Sequence, residues 1–199
     1  AAYPNFEEGV QITDMDGDYP WTERYLSLIQ ATDTAFEELI TYFSEEVEEP
    51  TLIVMFGDHI LSLEQEFYDE LYGMDTDSLS VAETMERYRT PFVIWANYDI
   101  PEKNMGTVSA NYFSTLVLQT AGVELSDYER CLAGLFAEVP VISSLGFIDA
   151  DGRVVEDCRN TDYAALVDDY ECLAYNSLID TTHRDWSLFS LAHLDSASS

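Results

Sequence analysis

The chain has 199 residues, 39 of them acidic and only 8 Lys or Arg, for a formal net charge of −31. That length suits one domain, and 47% hydrophobic with 13% aromatic residues gives it a core that a disordered acidic tail lacks. So few cations exclude nucleic-acid binding and attraction to an anionic membrane surface by this segment.

Lys103 is the only lysine. No run approaches the length of apolar sequence that spans a bilayer, and no signal peptide is visible. The chain opens Ala1-Ala2 without an initiating Met, which suggests a processed or excised piece. Cys131, Cys158 and Cys172 are odd in number and lack C-x-x-C spacing, which argues against a zinc site or a full disulfide framework. A single Cys158–Cys172 bridge stays open.

Residues 1–21 are aromatic, acidic and turn-rich and read as an extended segment. Thr22 offers an N-cap, and Tyr25, Leu28, Ile29, Thr32, Phe36, Leu39, Ile40, Phe43 and Val47 recur at helical spacing. That helix ends before the acidic Glu45–Pro50 turn, Pro50 disfavours helix at Glu49, and the apolar run 51–56 suits a strand buried on both faces of a parallel sheet. Residues 63–72 read as helix, 73–80 as a polar loop, and Ser80 starts a short helix through Arg87. A second buried strand covers 91–96 and is closed by Asn97. Helices follow over 107–121, ended by Gly122, and from a Ser126 cap through Ala137. Phe147-Ile148 and Val154-Val155 flank Asp151-Gly152, a hairpin signal, and 161–178 forms the last helix. The alternation gives an α/β fold, with one domain over 1–189 and a flexible tail over 190–199.

Gly57-Asp58-His59 is the sharpest chemical feature. It stands at the carboxyl end of the first strand, where open α/β sheets gather ligands, and Gly57 is expected to let the backbone turn there. A carboxylate beside an imidazole suits a divalent cation, although two ligands do not close a site. Trp95, Asn97 and Tyr98 read as ending the second strand on the same sheet edge, which makes Trp95 and Asn97 candidates for a substrate pocket. Thr51 and Thr90 read as strand starts at the opposite end. Arg184, beside His183 after the last helix, either touches an anionic substrate or answers the helix C-terminus. Asp14-Met-Asp16-Gly-Asp18 and Asp149-Ala-Asp151-Gly152 read as turns rather than calcium loops.

Tyr25-Leu-Ser-Leu-Ile-Gln-Ala-Thr-Asp33, Phe56-Gly-Asp-His59 and Pro91-Phe-Val-Ile-Trp-Ala-Asn97 form an ordered series that resembles the lipoteichoic-acid-synthase-like sulfatase family. Asn111-Tyr-Phe-Ser-Thr-Leu, Val139-Pro-Val-Ile and Tyr170-Glu-Cys-Leu-Ala-Tyr-Asn176 extend it along most of the chain. The resemblance implies an alkaline-phosphatase-superfamily fold, here the C-terminal part of a largely parallel sheet flanked by helices with a small hairpin. It also implies that Asp58 and His59 are two metal ligands. Mn²⁺ is favoured, with Mg²⁺ or Zn²⁺ as alternatives. The family's nucleophilic Thr, upstream acidic ligand and Asn-His motif match no position, and Ile60-Leu61 departs from the family's Pro-containing continuation.

The implied parent is a membrane-anchored bacterial enzyme at the extracellular face. It would act on phosphodiesters or sulfate esters through a covalent Thr intermediate, with the missing N-terminal half of the same domain completing the site. Ligation requires a neutral His59, so activity is expected to fall at acid pH. A catalytically inactive acidic interaction module that keeps the fold is the alternative. Adaptation to high salt would also explain the charge.

Overall fold

The computed structural model describes residues 9–180 and 182–191. Two compact units divide the chain. One holds residues up to Thr51, Phe56–Pro91 and Ala96–Tyr98; the other holds Leu52–Met55, Phe92–Trp95 and the chain from Asp99 onward.

In the first unit, α1 runs from Pro20 to Glu45 with proline in its first turn, where a missing N–H costs nothing. Thr22 is therefore not the N-cap. Tyr19 holds that position without a side-chain bond, and Thr22 lies buried one turn inside. The cap comes from Glu64, whose carboxylate accepts the Trp21 N–H at 2.7 Å, the Thr22 N–H at 3.1 Å and the Thr22 hydroxyl at 2.8 Å. Burial pushes the Glu64 carboxyl up, but these bonds outweigh it and hold the group below its ordinary range. Ser27 is buried because its hydroxyl accepts from Gly9 N–H and Val10 N–H, both at 3.0 Å, and so fastens the N-terminal segment to the helix.

The Asp14–Asp18 stretch is a bend. Its Asp16 and Gly17 N–H groups donate to the Glu70 carboxylate of α2 (Gln65–Tyr72), as does the Tyr19 hydroxyl. That carboxylate pushes the Tyr19 phenol up to about 12. Gly73, at φ +67°, ends α2 in the left-handed region that favours glycine. Ser80 caps α3 (Val81–Arg87) through a reciprocal box with Glu83.

Strands β1 (Leu52–Phe56) and β2 (Phe92–Ala96) pair as a two-stranded sheet. Gly57 N–H donates to the Pro91 carbonyl and Asn97 N–H to the Thr51 carbonyl, both at 3.1 Å, so the strands run antiparallel. This corrects the expected parallel arrangement of these two strands. A continuous apolar run carries no information about direction. Nor are they buried on both faces: Phe56 is 56% and Val93 39% exposed.

In the second unit, a single 3-10 helical turn over Ala110–Tyr112 leads into α4 (Phe113–Thr120), and α5 spans Asp127–Glu138. Their core is Tyr112, Leu116, Leu132, Leu135 and Val139. Tyr112 is fully buried, and its hydroxyl is satisfied by the Val139 carbonyl at 2.8 Å. Ser126 caps α5 as expected, through a box with Glu129.

Strands β3 (Val141–Ile142), β4 (Phe147–Ile148) and β5 (Val154–Val155) form an antiparallel sheet. The β4–β5 loop is organised by buried Asp149, which accepts Asp151 N–H and Arg153 N–H, and by Gly152 at φ +79°. It is a turn, as its sequence suggested. Helix α6 (Ala164–Leu178) follows. Cys158 is buried and Cys172 exposed, both as free thiols, so no bridge joins them. Of the expected tail, residues 192–199 lie outside the described residues.

Two measurements check this account. Glu64→Gln removes the charge from the α1 cap and should destabilise the protein by about 1 kcal/mol at neutral pH. Because the folded carboxyl is held low, the wild-type advantage is present above the unfolded value and disappears as pH falls through the folded one. Urea titrations at neutral pH and near pH 3 should show the gap closing. A gap independent of pH would refute the charged cap. Asn97→Ala removes the side-chain bonds to Phe43 at the end of α1 and to Val47, Glu49 and Thr51 after it, and should cost about 2 kcal/mol in the same titration.

Candidate metal centre

Asp58 and His59 follow β1 immediately, and their side chains are 81% and 70% exposed. The His59 Nδ1 lies 2.8 Å from the Ile60 carbonyl oxygen. A carbonyl only accepts, so Nδ1 is the donor here, and in a neutral imidazole Nε2 is then the nitrogen left to ligate. That Nε2 stands 3.8 Å from Asp58 Oδ1. Adjacent ligands of one ion at ordinary metal–ligand distances are separated by about 3–3.5 Å, so a small rotation of either exposed side chain brings both to one cation. The pair fits part of a coordination shell. Among the described residues, no group of three or more His, Cys, Asp or Glu is placed to hold a metal.

The loop that carries the pair is held at several points. The Thr90 hydroxyl donates to the Gly57 carbonyl at 2.7 Å, the Tyr68 hydroxyl to the Leu61 carbonyl at 3.0 Å, and Glu64 is bound to the start of α1. The Arg87 guanidinium lies 4.3 Å from the Tyr68 ring centroid and covers that face. Gly57 is not in the left-handed region. Its role is close approach rather than a sharp turn, since a Cβ there would lie 2.9 Å from Thr90 Cβ.

Antiparallel pairing reorders the other candidates. Asn97 does not stand beside Asp58: it pairs with Thr51 at the far end of the sheet. There its amide donates to the Phe43, Val47 and Glu49 carbonyls, and its oxygen accepts the Thr51 N–H at 2.8 Å. Thr90, expected at the far end, is instead the residue beside Gly57. Trp95 is half-buried on β2. Arg184 lies with its guanidinium 5.0 Å from the Trp186 ring centroid and its Nε 3.3 Å from the Asn176 carbonyl. His183 pairs with Asp180 at 3.3 Å. Sequence reasoning named Thr90 but put it at the wrong end of the sheet, because strand direction was not legible.

Three comparisons bear on the chain's relatives. A protein described as "Putative cyclic beta-1,2-glucan modification protein" from Rhizobium meliloti (strain 1021) is 28% identical over 173 residues, which cover 82% of this chain and 27% of that protein. The structure of Streptococcus pyogenes phosphoglycerol transferase GacH in complex with sn-glycerol-1-phosphate aligns at a TM-score of 0.49 and 18% identity, over 77% of this chain and 33% of that one. The chain thus spans about a quarter to a third of the length of these proteins. The sulfatase family profile matches residues 2–123, which include Asp58 and His59 and make up more than half of the 199 residues. The chain belongs to the sulfatase family.

Proposed function

We propose that Asp58 and His59 are two ligands of a divalent cation, Mn²⁺ first and Mg²⁺ or Zn²⁺ next, in an enzyme that transfers or hydrolyses phosphate or sulfate esters. The observation that carries this reading is the placement of His59: with Nδ1 held 2.8 Å from the Ile60 carbonyl, Nε2 is the nitrogen on the Asp58 side, 3.8 Å from its Oδ1. Family membership over the same residues supports it. A divalent cation in such a site polarises the ester oxygens and lowers the pKa of a hydroxyl nucleophile.

This chain's residues would supply one anionic oxygen and one neutral nitrogen, with the ring fixed by a backbone acceptor in the manner of other metal-binding histidines. The nucleophile would come from elsewhere in the protein. The hydroxyls of Thr51 and Thr90 both donate to backbone carbonyls, of Glu49 and Gly57 respectively. Within this reading the finer assignment is transfer of a phosphoglycerol group from a lipid headgroup to a cell-envelope polymer. The relative named for glucan modification suggests a glucan hydroxyl as acceptor. The site would then face the outside of a bacterial cell membrane. Among the described residues no helix is long and apolar enough to cross one, so an anchor would lie outside them.

The test is turnover of a phosphodiester and of an aryl sulfate by the full-length protein with Mn²⁺. Asp58→Ala and His59→Ala should each lower kcat/KM by more than about 100-fold and weaken Mn²⁺ binding, since even residues that only support a ligand commonly cost 10–100-fold. Full activity in either variant would overturn the ligand reading. A full-length protein that turns over neither ester, with Mn²⁺ and both ligands present, would favour the inactive interaction module. The 199-residue chain alone should show no turnover above its His59→Ala form.

A further inference from the structure

The structure assigns Thr90 as a positioning residue for the Asp58–His59 pair, an inference that rests on reading that pair as metal ligands. In an antiparallel ladder, a hydrogen-bonded pair exchanges two N–H···O bonds. Gly57 and Pro91 form such a pair, and Gly57 N–H reaches the Pro91 carbonyl at 3.1 Å. The return bond cannot form because proline has no N–H. The Thr90 hydroxyl takes its place and donates to the Gly57 carbonyl at 2.7 Å.

The acceptor in that bond belongs to the peptide plane joining Gly57 to Asp58. Holding it fixes the direction in which the chain leaves β1 and therefore where Asp58 begins. Approach this close needs a residue without Cβ, because a Cβ on Gly57 would meet the Thr90 side chain at 2.9 and 3.2 Å. Glycine at 57, a hydroxyl at 90 and proline at 91 are thus one device. The hydroxyl completes the last rung of the ladder at the point where the ladder gives way to the two exposed ligands.

The experiment measures Mn²⁺ affinity of the full-length protein by titration, following free Mn²⁺ by electron paramagnetic resonance, with circular dichroism as the check on folding. Thr90→Val, which keeps the shape but removes the hydroxyl, should weaken Mn²⁺ binding by about 10-fold. Thr90→Ser should stay within about 2-fold of wild type, because the donor survives; this allowance is small beside the 10–100-fold typical of lost support. Gly57→Ala, which drives Thr90 away while leaving its hydroxyl in the sequence, should weaken binding as Thr90→Val does, and decides the matter if Thr90→Val fails to fold.

Unchanged affinity in a folded Thr90→Val or Gly57→Ala protein, or equal loss in Thr90→Ser, would overturn the assignment. Asp58→Ala separates this failure from that of the ligand reading. If Asp58→Ala loses affinity and Thr90→Val does not, only the positioning role falls; if Asp58→Ala binds Mn²⁺ like wild type, both fall.

Discussion

The antiparallel rung pairs at the two ends of β1 and β2 set most of what surrounds the candidate centre. Each pair keeps one backbone bond, Gly57 to Pro91 and Asn97 to Thr51, and each obtains its second from a side chain. At one end the Thr90 hydroxyl reaches the Gly57 carbonyl; at the other the Asn97 side-chain oxygen accepts the Thr51 N–H. The two ends thereby acquire different work. Asn97 also gathers carbonyls from the end of α1, which fixes where β1 starts, whereas Thr90 fixes how β1 ends and Asp58 begins.

Charge is used unevenly. Most of the described arginine–carboxylate pairs are short-range and exposed: Arg89 with Glu86, Arg130 with Asp127, Arg153 with Asp151 and Arg159 with Asp157; Arg153 also lies 3.8 Å from the buried Asp149 carboxylate. Exposed pairs contribute little to stability. Long-range connections fall instead to carboxylates that accept backbone N–H groups. Glu64 binds the start of α1 from 42 and 43 residues away, and Glu70 holds the Asp16–Gly17 bend from 53 and 54. With 39 acidic residues and 8 cations, most carboxylates have no basic partner, and backbone donors are the partners that remain. Hydrogen bonds of this kind favour the ionised carboxylate: Glu64 is held low against burial, and Glu70 is held low by the Tyr19 hydroxyl first and then by the Asp16 and Gly17 N–H groups.

What could be read from the sequence was what depends on neighbours in sequence. The boxes at Ser80 and Ser126 each need only a Glu three residues on, and both form. Helical spacing located α1, three residues late at its start, and a continuous apolar stretch located β1 and β2 within a residue. Strand direction was not legible, because an apolar stretch reads the same either way, and with it went the placement of Asn97 and Thr90. The cap on α1 was also beyond local reading: Pro20 marks the true start of the helix, but its acceptor is Glu64, more than 40 residues downstream. Asp58 and His59 stood out by their residue types at the end of a strand, and the resemblance made them candidate ligands. The bond that gives their geometry meaning, from His59 Nδ1 to the Ile60 carbonyl, depends on loop shape rather than on residue type.

Exposure of the pair follows from the same geometry. A buried carboxylate and imidazole would need partners to offset desolvation, and the described residues around Asp58 and His59 offer a single one, the Ile60 carbonyl. Left in water, both side chains keep their solvation at little cost, while the backbone beneath them is held by Thr90, Tyr68 and Glu64. A loop held at these points, with both side chains in water, suits the proposed centre, whose remaining donors would come from another segment. The ordering entropy of the loop would then be met before those donors arrive, leaving them only water to displace from the ion and two side chains to rotate. On the proposed reading the backbone supports would matter more for metal affinity than any further contact Asp58 and His59 could make within this chain.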